Sequence, residues 1–337
     1  MFPSKLPLED YIYSWYTIAF ALGVGLILGF RNYMHGMPCP SDKDAKGKVI
    51  VITGGTRGIG KELGREMATR GAKVILACRD EEEGKQSAED IFLSTKNKNV
   101  HSYKLDLSSF ESIRNFASVM NHKKHSIDVL VNNAGIMCHP REDTAEGHEM
   151  HFGVNYLGHF LLTELLMDKL KASKARIINA TAIAYQIAQP DLDDLKFEKR
   201  EYQPGDAYSQ SKLCILWWTR HLAKKLEGTG VTVNAYHPGV VNTDLYRNMP
   251  FRQSKFVSWS FTPIFWLLMK KARDGAQTPL YMAVSDEEKE VSGKFYAECR
   301  MKPVDPIAED PESEEKLWKL SRGFCGLDEE EETATSE

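Results

Sequence analysis

What this 337-residue sequence lacks narrows the classes of protein to which it can belong. Its six cysteines include no C-x-x-C pair, so the sequence predicts free thiols in a reducing compartment rather than a disulfide framework. It has no excess of positive charge, since the net charge is −4 and the pI is about 6.2. We therefore expect no nucleic-acid partner. No internal repeat is evident, and this length favours one large domain with appendages.

Charge is also missing from residues 11–30, which are rich in Leu, Ile, Phe and Gly and carry four aromatic residues at one end. A stretch of this length spans the hydrocarbon core of a bilayer, and the aromatic residues suit its interface. A cleaved signal peptide is the alternative, but its apolar region is shorter, and no small-residue cleavage site follows Phe30. We expect residues 1–31 to form a single-pass membrane anchor.

The segments on either side of the predicted core differ from it in composition. More lysine and arginine residues follow the anchor than precede it, which places the rest of the chain on the cytoplasmic side of the membrane. Residues 32–46 contain two prolines and several polar residues, and we interpret them as a linker to a domain at 47–300. Residues 301–337 are acidic, and we expect a solvated tail.

A glycine-rich turn lies between an apolar β-branched run at 48–53 and a helical pattern that begins near Ile59. In this context the motif T-G-x-x-x-G-x-G predicts a dinucleotide site, because glycine lets the backbone approach a pyrophosphate held by the following helix N-terminus. The alternative is a tight turn without a ligand. The candidate cofactor-binding residues are Thr53, Gly54, Thr56, Arg57, Gly58, Ile59 and Gly60.

The second predicted strand, residues 73–78, ends on Arg79. A carboxylate at this position would bind the 2′-hydroxyl of the adenosine ribose, whereas a cation accommodates a 2′-phosphate. Arg57 adds a second cation in the glycine turn. The pair favours NADP(H) over NAD(H), and the alternative is two solvated surface arginines.

Strands alternate with helices through most of the chain, with further strands near 100–104, 127–131, 175–179 and 231–237. This alternation predicts an α/β fold with a doubly wound, Rossmann-like parallel sheet in a single domain. Residues 251–269 are rich in aromatic side chains. Such a segment forms a substrate lid, a contact with a bilayer surface or ordinary core packing.

Tyr208 and Lys212 lie four residues apart at the start of a predicted helix, which puts the phenol and the ammonium on one face. A cation there favours phenolate, which makes Tyr208 a usable acid or base near neutral pH. Two weaker patterns lie upstream. His148 and His151 lack the spacing of a metal motif, so we predict no metal site, and residues 137–139 either line the cofactor pocket or form a plain loop.

Taken together, these motifs carry a resemblance to a known family. The glycine motif, N-N-A-G at 132–135, Asn155, Tyr208 with Lys212, and P-G-V-V-N-T at 238–243 occur in the order found in the short-chain dehydrogenase/reductase family. The similarity covers roughly residues 48–297. Within that family the sequence resembles the membrane-anchored retinol dehydrogenases of types eleven to fourteen, and type thirteen most.

The resemblance implies an NADP(H)-dependent oxidoreductase that interconverts a lipophilic alcohol and its aldehyde or ketone, with Tyr208 donating or accepting the proton. It implies that Asn155 keeps a proton-relay water in place and that Asp106 contacts the adenine. It favours the endoplasmic reticulum membrane and leaves a mitochondrial membrane and a homo-oligomer open. The cofactor-binding residues it adds are Asp106, Leu107, Asn133, Ala134, Gly135, Tyr208, Lys212, Pro238, Gly239, Val241 and Thr243.

One position departs from the family pattern. Ala182 aligns with the serine that orients and polarises the substrate carbonyl, and Thr181 lies one residue earlier. Adjacent strand residues point to opposite faces, so Thr181 replaces the serine only if the strand end turns or bulges. Two functions therefore remain open. One is an enzyme that uses Asn155, Tyr208, Lys212 and Thr181, and the other is a catalytically impaired NADP(H)-binding protein that acts as an interaction or sensing module.

Overall fold

The computed structural model describes residues 8–249 and 255–328, and its centre is one eight-stranded sheet. The strand order is β3-β2-β1-β4-β5-β6-β7-β8, with every neighbouring pair parallel except β7 and β8. This order confirms the predicted doubly wound α/β fold. The strands are β1 (Val49–Thr53), β2 (Lys73–Cys78), β3 (Val100–Lys104), β4 (Val129–Asn132), β5 (Arg176–Ala180), β6 (Thr232–His237), β7 (Phe295–Ala297) and β8 (Arg300–Lys302).

Helices connect the strands and cover both faces of the sheet. They are α1 (Leu8–His35), α2 (Gly58–Thr69), α3 (Glu81–Thr95), α4 (Phe110–His122), α5 (Gly158–Leu165), α6 (Met167–Ser173), α7 (Pro204–Lys225), α8 (Lys255–Leu268), α9 (Ala272–Gly275), α10 (Gln277–Val284) and α11 (Pro311–Cys325). A π-helical turn, Phe152–Leu157, leads directly into α5, and a 3₁₀ turn, Ile183–Ile187, follows β5.

The period of two along β1 divides the core between the two faces. Val49 and Val51 pack in the cluster that contains residues of α4, α5, α7 and α11. Ile50 and Ile52 pack in the opposite cluster, with residues of α2, α3 and α10. All five residues of β1 are buried, as expected for a central parallel strand that has helices on both sides.

The N-terminal helix continues beyond the anchor boundary at residue 31, and Gly36, at φ +78°, follows its last residue. Among the described residues, 14–35 form the one helix that is long and apolar enough to cross a membrane, which makes α1 a candidate anchor. The residues after it are docked on the domain. The Met37 amide donates to Glu298 Oε2 (3.1 Å), and the Cys39 amide donates to Gln277 Oε1 (3.0 Å).

The interpretation of the C-terminal region as a solvated tail is wrong for residues 311–325, which form α11. Leu317, Trp318, Ser321 and Cys325 are buried in the contact with the core, while the acidic residues face outward for the most part. The Trp318 indole lies edge-on to Phe160, with 5.1 Å between ring centroids. This helix is hard to recognise in the sequence because its apolar residues are few and lie between charged ones. Residues 329–337 lie outside the described part of the chain.

We expect Trp318→Ala to lower the free energy of unfolding by about 3–5 kcal/mol, because it removes a buried indole from a packed core. Equilibrium urea unfolding in detergent measures the change. Lys319→Ala is the matched control on the solvent side of α11, where it removes an exposed ion pair with Glu315 worth at most about 1 kcal/mol. Equal effects of the two substitutions would mean that α11 does not belong to the core.

Candidate active site

A cavity of about 540 Å³ opens at the carboxyl ends of the parallel strands, where α/β proteins of this topology bind ligands. Most of the residues predicted from the sequence line it, and two do not: Gly60 and Asn155 lie immediately behind the wall. The predicted residues that line the cavity are Thr53, Gly54, Thr56, Arg57, Gly58, Ile59, Arg79, Asp106, Leu107, Asn133, Ala134, Gly135, Thr181, Tyr208, Lys212, Pro238, Gly239, Val241 and Thr243.

The glycine turn is built for close backbone packing. Gly54 has φ +66°, a conformation that side chains other than glycine rarely adopt. A Cβ at Gly60 would lie 2.3 Å from the Gly54 carbonyl oxygen, so a larger residue there would push the turn open. Gly60 therefore shapes the floor of the turn, although it does not face the cavity.

A buried threonine joins the ends of β1 and β4. The Thr53 hydroxyl oxygen accepts the backbone N–H groups of Asn133 (2.9 Å) and Ala134 (3.0 Å), and the Asn133 side-chain amide donates to the Thr53 carbonyl (3.0 Å). Thr53 is fully buried, so these bonds have no competition from water. They fix the N-N-A-G turn against the glycine turn on opposite sides of the cavity.

The same threonine is linked to Asn155 through His159, which the sequence reasoning missed. The Thr53 hydroxyl donates to Nε2 of His159 (2.8 Å), and the Nδ1–H of that ring donates to the Asn155 carbonyl (2.9 Å). Burial lowers the pKa of His159 to about 4, so the ring is neutral near pH 7 and the two bonds define its tautomer. His159 thus links Thr53, at the end of β1, to the π-helical turn that contains Asn155.

Asn155 lies in the π-helical turn, a rare conformation that is frequent at functional sites. Its side chain holds the loop after N-N-A-G: Oδ1 accepts from the Ile136 amide (2.8 Å), and Nδ2 donates to the Ile136 carbonyl (3.1 Å) and to Ser211 Oγ (3.0 Å). A Cβ at Gly135 would lie 3.2 Å from Asn155 Oδ1 and 3.6 Å from Lys212 Nζ. Glycine at 135 therefore leaves these two groups their space.

Tyr208 and Lys212 come together on α7 as predicted. The Lys212 ammonium donates to the Ala180 carbonyl (3.1 Å) and lies 5.6 Å from the centroid of the Tyr208 ring. Both side chains are almost entirely buried. Burial lowers the pKa of Lys212 to about 7 and raises the pKa of Tyr208 above its ordinary value, since each charged form is poorly solvated there.

The structure does not support the role of substitute donor for Thr181. Its hydroxyl donates to the Lys212 carbonyl (2.8 Å), and its amide continues the ladder to the Tyr236 carbonyl (2.8 Å). A hydroxyl has one proton to donate, so this one is not available to a substrate oxygen. No bulge re-aims the residue, and Ala182, in extended conformation, presents a methyl group to the cavity.

The two predicted cations differ in their surroundings. Arg57 pairs with Asp244 (2.9 Å) and Glu83, whereas Arg79 is exposed and has no ion-pair partner within residues 8–249 and 255–328. Asp106 lines the cavity, with Oδ1 accepting from the amide and hydroxyl of Ser108 (2.9 and 2.6 Å). Exposed ion pairs contribute about 0–1 kcal/mol, so Arg57 can exchange its carboxylate partners for a phosphate at little cost.

The substrate side of the cavity contains residues that no motif identified. Ile136, Met150, Val154, Ile183, Val240 and Tyr246 line it and give it an apolar wall. Met137 and His139 also line the cavity, as one of the two alternatives for residues 137–139 predicted, and Cys138 does not. These residues come from separate connections after β4, β5 and β6 and from the helical turn at 150–157, so no single periodic pattern in the sequence joins them.

His148 and His151 have structural partners. Nδ1 of His151 donates to Glu149 Oε1 (2.7 Å), and Nε2 accepts from the His139 amide (3.1 Å). The His151 ring meets Tyr208 edge-on, with 6.2 Å between centroids, and His148 packs among phenylalanines. No cluster of metal-ligating side chains occurs in the part of the chain that the structure describes, and its six cysteines are free thiols.

These residues fit a nicotinamide dinucleotide. A Cβ at Gly60 would fill the turn between Gly54 and Gly60, and Arg79 has no ion-pair partner among the described residues. The Lys212 ammonium lines the cavity and uses one of its three protons on the Ala180 carbonyl, which leaves two for a ligand. The candidate cofactor residues at the glycine turn and the Tyr208–Lys212 pair thus line one cavity.

Comparison with known proteins agrees with this site. The family model described as short chain dehydrogenase matches residues 48–253. Retinol dehydrogenase 13 of Homo sapiens is 45% identical over 311 residues, which cover 91% of this chain and 94% of that protein. Retinol dehydrogenase 12 of Homo sapiens is 43% identical over 302 residues, with 88% and 92% covered.

Two solved structures show the same architecture. An uncharacterised protein from Mycobacterium paratuberculosis has a TM-score of 0.68 at 31% identity, over 86% of this chain and 98% of that one. An NAD(P)-dependent gluconate 5-dehydrogenase from Beutenbergia cavernae, solved with NADP, has a TM-score of 0.59 at 25% identity, over 76% and 96%. With the sheet, the glycine turn and the Tyr208–Lys212 pair in place, this chain belongs to the short-chain dehydrogenase family and is an oxidoreductase similar to the retinol dehydrogenases.

Proposed function

We propose that this protein is a membrane-anchored NADP(H)-dependent oxidoreductase that interconverts a lipophilic alcohol and its aldehyde or ketone. The observation that carries the proposal is the position of Tyr208 and Lys212 in the glycine-lined cavity, beside an apolar wall. The glycine turn would bind a dinucleotide, the Tyr208 phenol would transfer a proton, and the apolar wall would contact the hydrocarbon part of the substrate. The bound nicotinamide supplies or accepts the hydride.

The chain's own residues handle the proton. Tyr208 is protonated near neutral pH, since the pKa of an ordinary phenol is about 10 and burial raises that of Tyr208 further, so it acts as the acid when a carbonyl is reduced. The Lys212 ammonium stabilises the phenolate that results, and it can also donate to the hydroxyls of the nicotinamide ribose. The Asn155 carbonyl, which accepts from the Nδ1–H of His159, is the group that we assign to the relay water.

NADP(H) rather than NAD(H) is supported by Arg79 at the end of β2, which has no ion-pair partner in the described part of the chain, and by Arg57 across the turn. A planar guanidinium suits a 2′-phosphate, and no carboxylate occupies the position that would bind a 2′-hydroxyl. Glu83 lines the same part of the cavity but already pairs with Arg57. A structural neighbour of the same architecture, solved with NADP, supports this choice.

A lipophilic substrate is supported by the apolar wall and by the names of the relatives, which are retinol dehydrogenases. Membrane attachment is supported by α1, and the basic residues that follow it favour a cytoplasmic catalytic domain. The endoplasmic reticulum is our first choice of organelle, and a mitochondrial membrane is the second. A homo-oligomer stays a prediction.

A second function has its own observation. Ala182 offers no hydroxyl, and the Thr181 hydroxyl is bonded to Lys212, so the substrate oxygen has Tyr208 as its donor and lacks the serine donor of the family. A protein in this state binds NADP(H) normally and turns over slowly, which suits an interaction or sensing module. NADPH oxidation by the purified protein with a panel of hydrophobic carbonyls separates the two functions.

We expect NADPH to bind more tightly than NADH, and Arg79→Asp to reverse the preference. Loss of a charge-assisted contact costs about 1.5–3 kcal/mol, which is roughly 10- to 100-fold in the Kd of NADPH. Fluorescence titration of both cofactors measures it. Lys98→Asp makes the same charge change at an exposed position outside the cavity and should leave both constants unchanged. Equal affinities in the parent protein would contradict the assignment.

Ala182→Ser should raise kcat by up to ~10²-fold and leave NADPH affinity unchanged, because it restores a donor for the substrate oxygen. Thr181→Val should alter kcat little if its hydroxyl serves only the Lys212 carbonyl, and Ala145→Ser is the control outside the cavity. Steady-state kinetics with a lipophilic aldehyde measures these effects. Loss of most activity in Thr181→Val would mean that Thr181 is the donor to the substrate oxygen. Unchanged turnover in Tyr208→Phe would exclude a mechanism in which Tyr208 transfers the proton.

The affinity for NADPH should fall as pH rises above about 7. The folded-state pKa of Lys212 is lowered from 10.5 to about 7, so the ammonium and its charge-assisted bonds are lost in this range. The decrease should be at most about tenfold per pH unit. Titrations from pH 6 to 9 measure it, and Lys212→Met should remove it. His237, whose pKa is lowered to about 4, does not titrate there, so an unchanged slope in Lys212→Met would contradict this origin.

A further inference from the structure

The helix α8 exposes apolar side chains on more than one side. Trp259, Ile264, Trp266 and Leu268 have 75%, 47%, 46% and 41% of their surface exposed, and no charged residue occurs in 256–268. Trp259 and Leu268 are nine residues apart, about two and a half helical turns, which places them on opposite sides of α8. Docking against one protein surface needs a single apolar stripe, whereas exposure on opposite sides suits surrounding lipid.

The helix α8 packs against the candidate anchor. The guanidinium of Arg31, near the end of α1, lies 3.9 Å from the centroid of the Trp266 ring. Arg31 is buried in this contact, with 8% of its surface exposed. The exposed apolar side chains of α8 are therefore continuous with those of α1, and a bilayer that surrounds one helix reaches the other.

Both ends of α8 connect to the wall of the active-site cavity. The cavity-lining residues Thr243, Tyr246 and Arg247 precede it. After it, the Lys270 amide donates to the Val240 carbonyl (2.9 Å), and the Lys270 carbonyl accepts from the Asn242 amide (2.9 Å). The residues directly after α8 are thus hydrogen-bonded to the loop at 238–243, which lines the cavity.

The Glu298 carboxylate connects the segments that follow α1 and α8. Glu298 pairs with the Lys270 ammonium and also accepts the Met37 amide from the segment after α1 (3.1 Å). The end of α1, the end of α8 and the loop at 238–243 therefore meet at Glu298. This geometry places the cavity mouth at the end of the domain to which α1 is attached.

We propose that α8 is embedded in the acyl-chain region of a phospholipid bilayer beside α1 and forms the entrance through which a lipophilic substrate passes from the bilayer into the cavity. The entrance rests on the proposed function, but the bilayer contact does not. A second copy of the chain is the competing occupant of α8. The exposed Val240 and Ile183 on the cavity wall extend the apolar path inward.

Tryptophan quenching in proteoliposomes tests the bilayer contact on the full chain and needs no activity. Phospholipids brominated on the acyl chain quench tryptophans that touch them, so a Trp15→Phe background first removes the tryptophan of α1. We expect brominated lipid to reduce emission in this background and the quenched part to shrink when Trp259→Phe is added. Trp318→Phe, in the domain core, should leave the quenched part unchanged.

A quenched part that is the same with and without Trp259 would overturn the proposal. In that outcome α8 faces another protein. If that protein is a second copy of the chain, the molecular mass in detergent should fall from that of a dimer to that of a monomer in Trp259→Asp. Quenching that depends on Trp259 supports the bilayer contact even if the protein has no measurable turnover, so failure of the proposed function is distinguishable.

Kinetics tests the entrance. Trp259→Asp and Leu268→Asp should raise the KM for a lipophilic aldehyde supplied in vesicles severalfold, while the KM for NADPH and for a small water-soluble carbonyl stays constant. Leu93→Asp, which puts the same charge on an exposed leucine of α3, is the matched control and should change none of these values. An unchanged KM for the vesicle-borne substrate in both α8 variants would overturn the entrance.

Discussion

The hydroxyl of Thr53 is the point on which the active site depends. It closes the gap between the ends of β1 and β4 by accepting two backbone N–H groups, and its own proton goes to His159. Parallel strands bond to each other along their length but leave their carboxyl ends to loops, so something must fix those loops. A buried hydroxyl does this without a charge, which a dry core would penalise.

A series of hydrogen bonds between neutral groups connects Thr53 to the rest of the site. His159 holds the Asn155 carbonyl, Asn155 holds the backbone of Ile136, and Gly135 lies between Asn155 and Lys212. Thr53, His159 and Asn155 are neutral and hydrogen-bond to one another. The ionisable residues Tyr208 and Lys212, by contrast, line the cavity. The opposite pKa shifts of Lys212 and Tyr208 follow from the same burial, because one group is charged when protonated and the other when it is not.

The other end of the cavity follows a different physical rule. Around Glu298 the chain brings together an apolar N-terminal helix, an apolar late helix and the loop after β6. The two helices leave many apolar side chains exposed, and lipid provides the environment in which such surface is stable. The cavity therefore has a polar side that fits a cofactor and an apolar side near the two helices that we propose to lie in the bilayer.

Local patterns of residues are sufficient to predict part of this structure. Period-two and β-branched runs gave the strands, glycine spacing gave the cofactor turn, and the four-residue interval placed Tyr208 and Lys212 on one face, because these features follow from backbone geometry within a few residues. Contacts between segments that are distant in the sequence are established only in the folded domain. They join His159 to Thr53, give the Thr181 hydroxyl to Lys212, pack Trp318 of an acidic segment into the core and set α8 against α1. Which partner a buried polar group finds, and which face of a charged helix is covered, is fixed only when the elements meet, and no spacing within one segment records it.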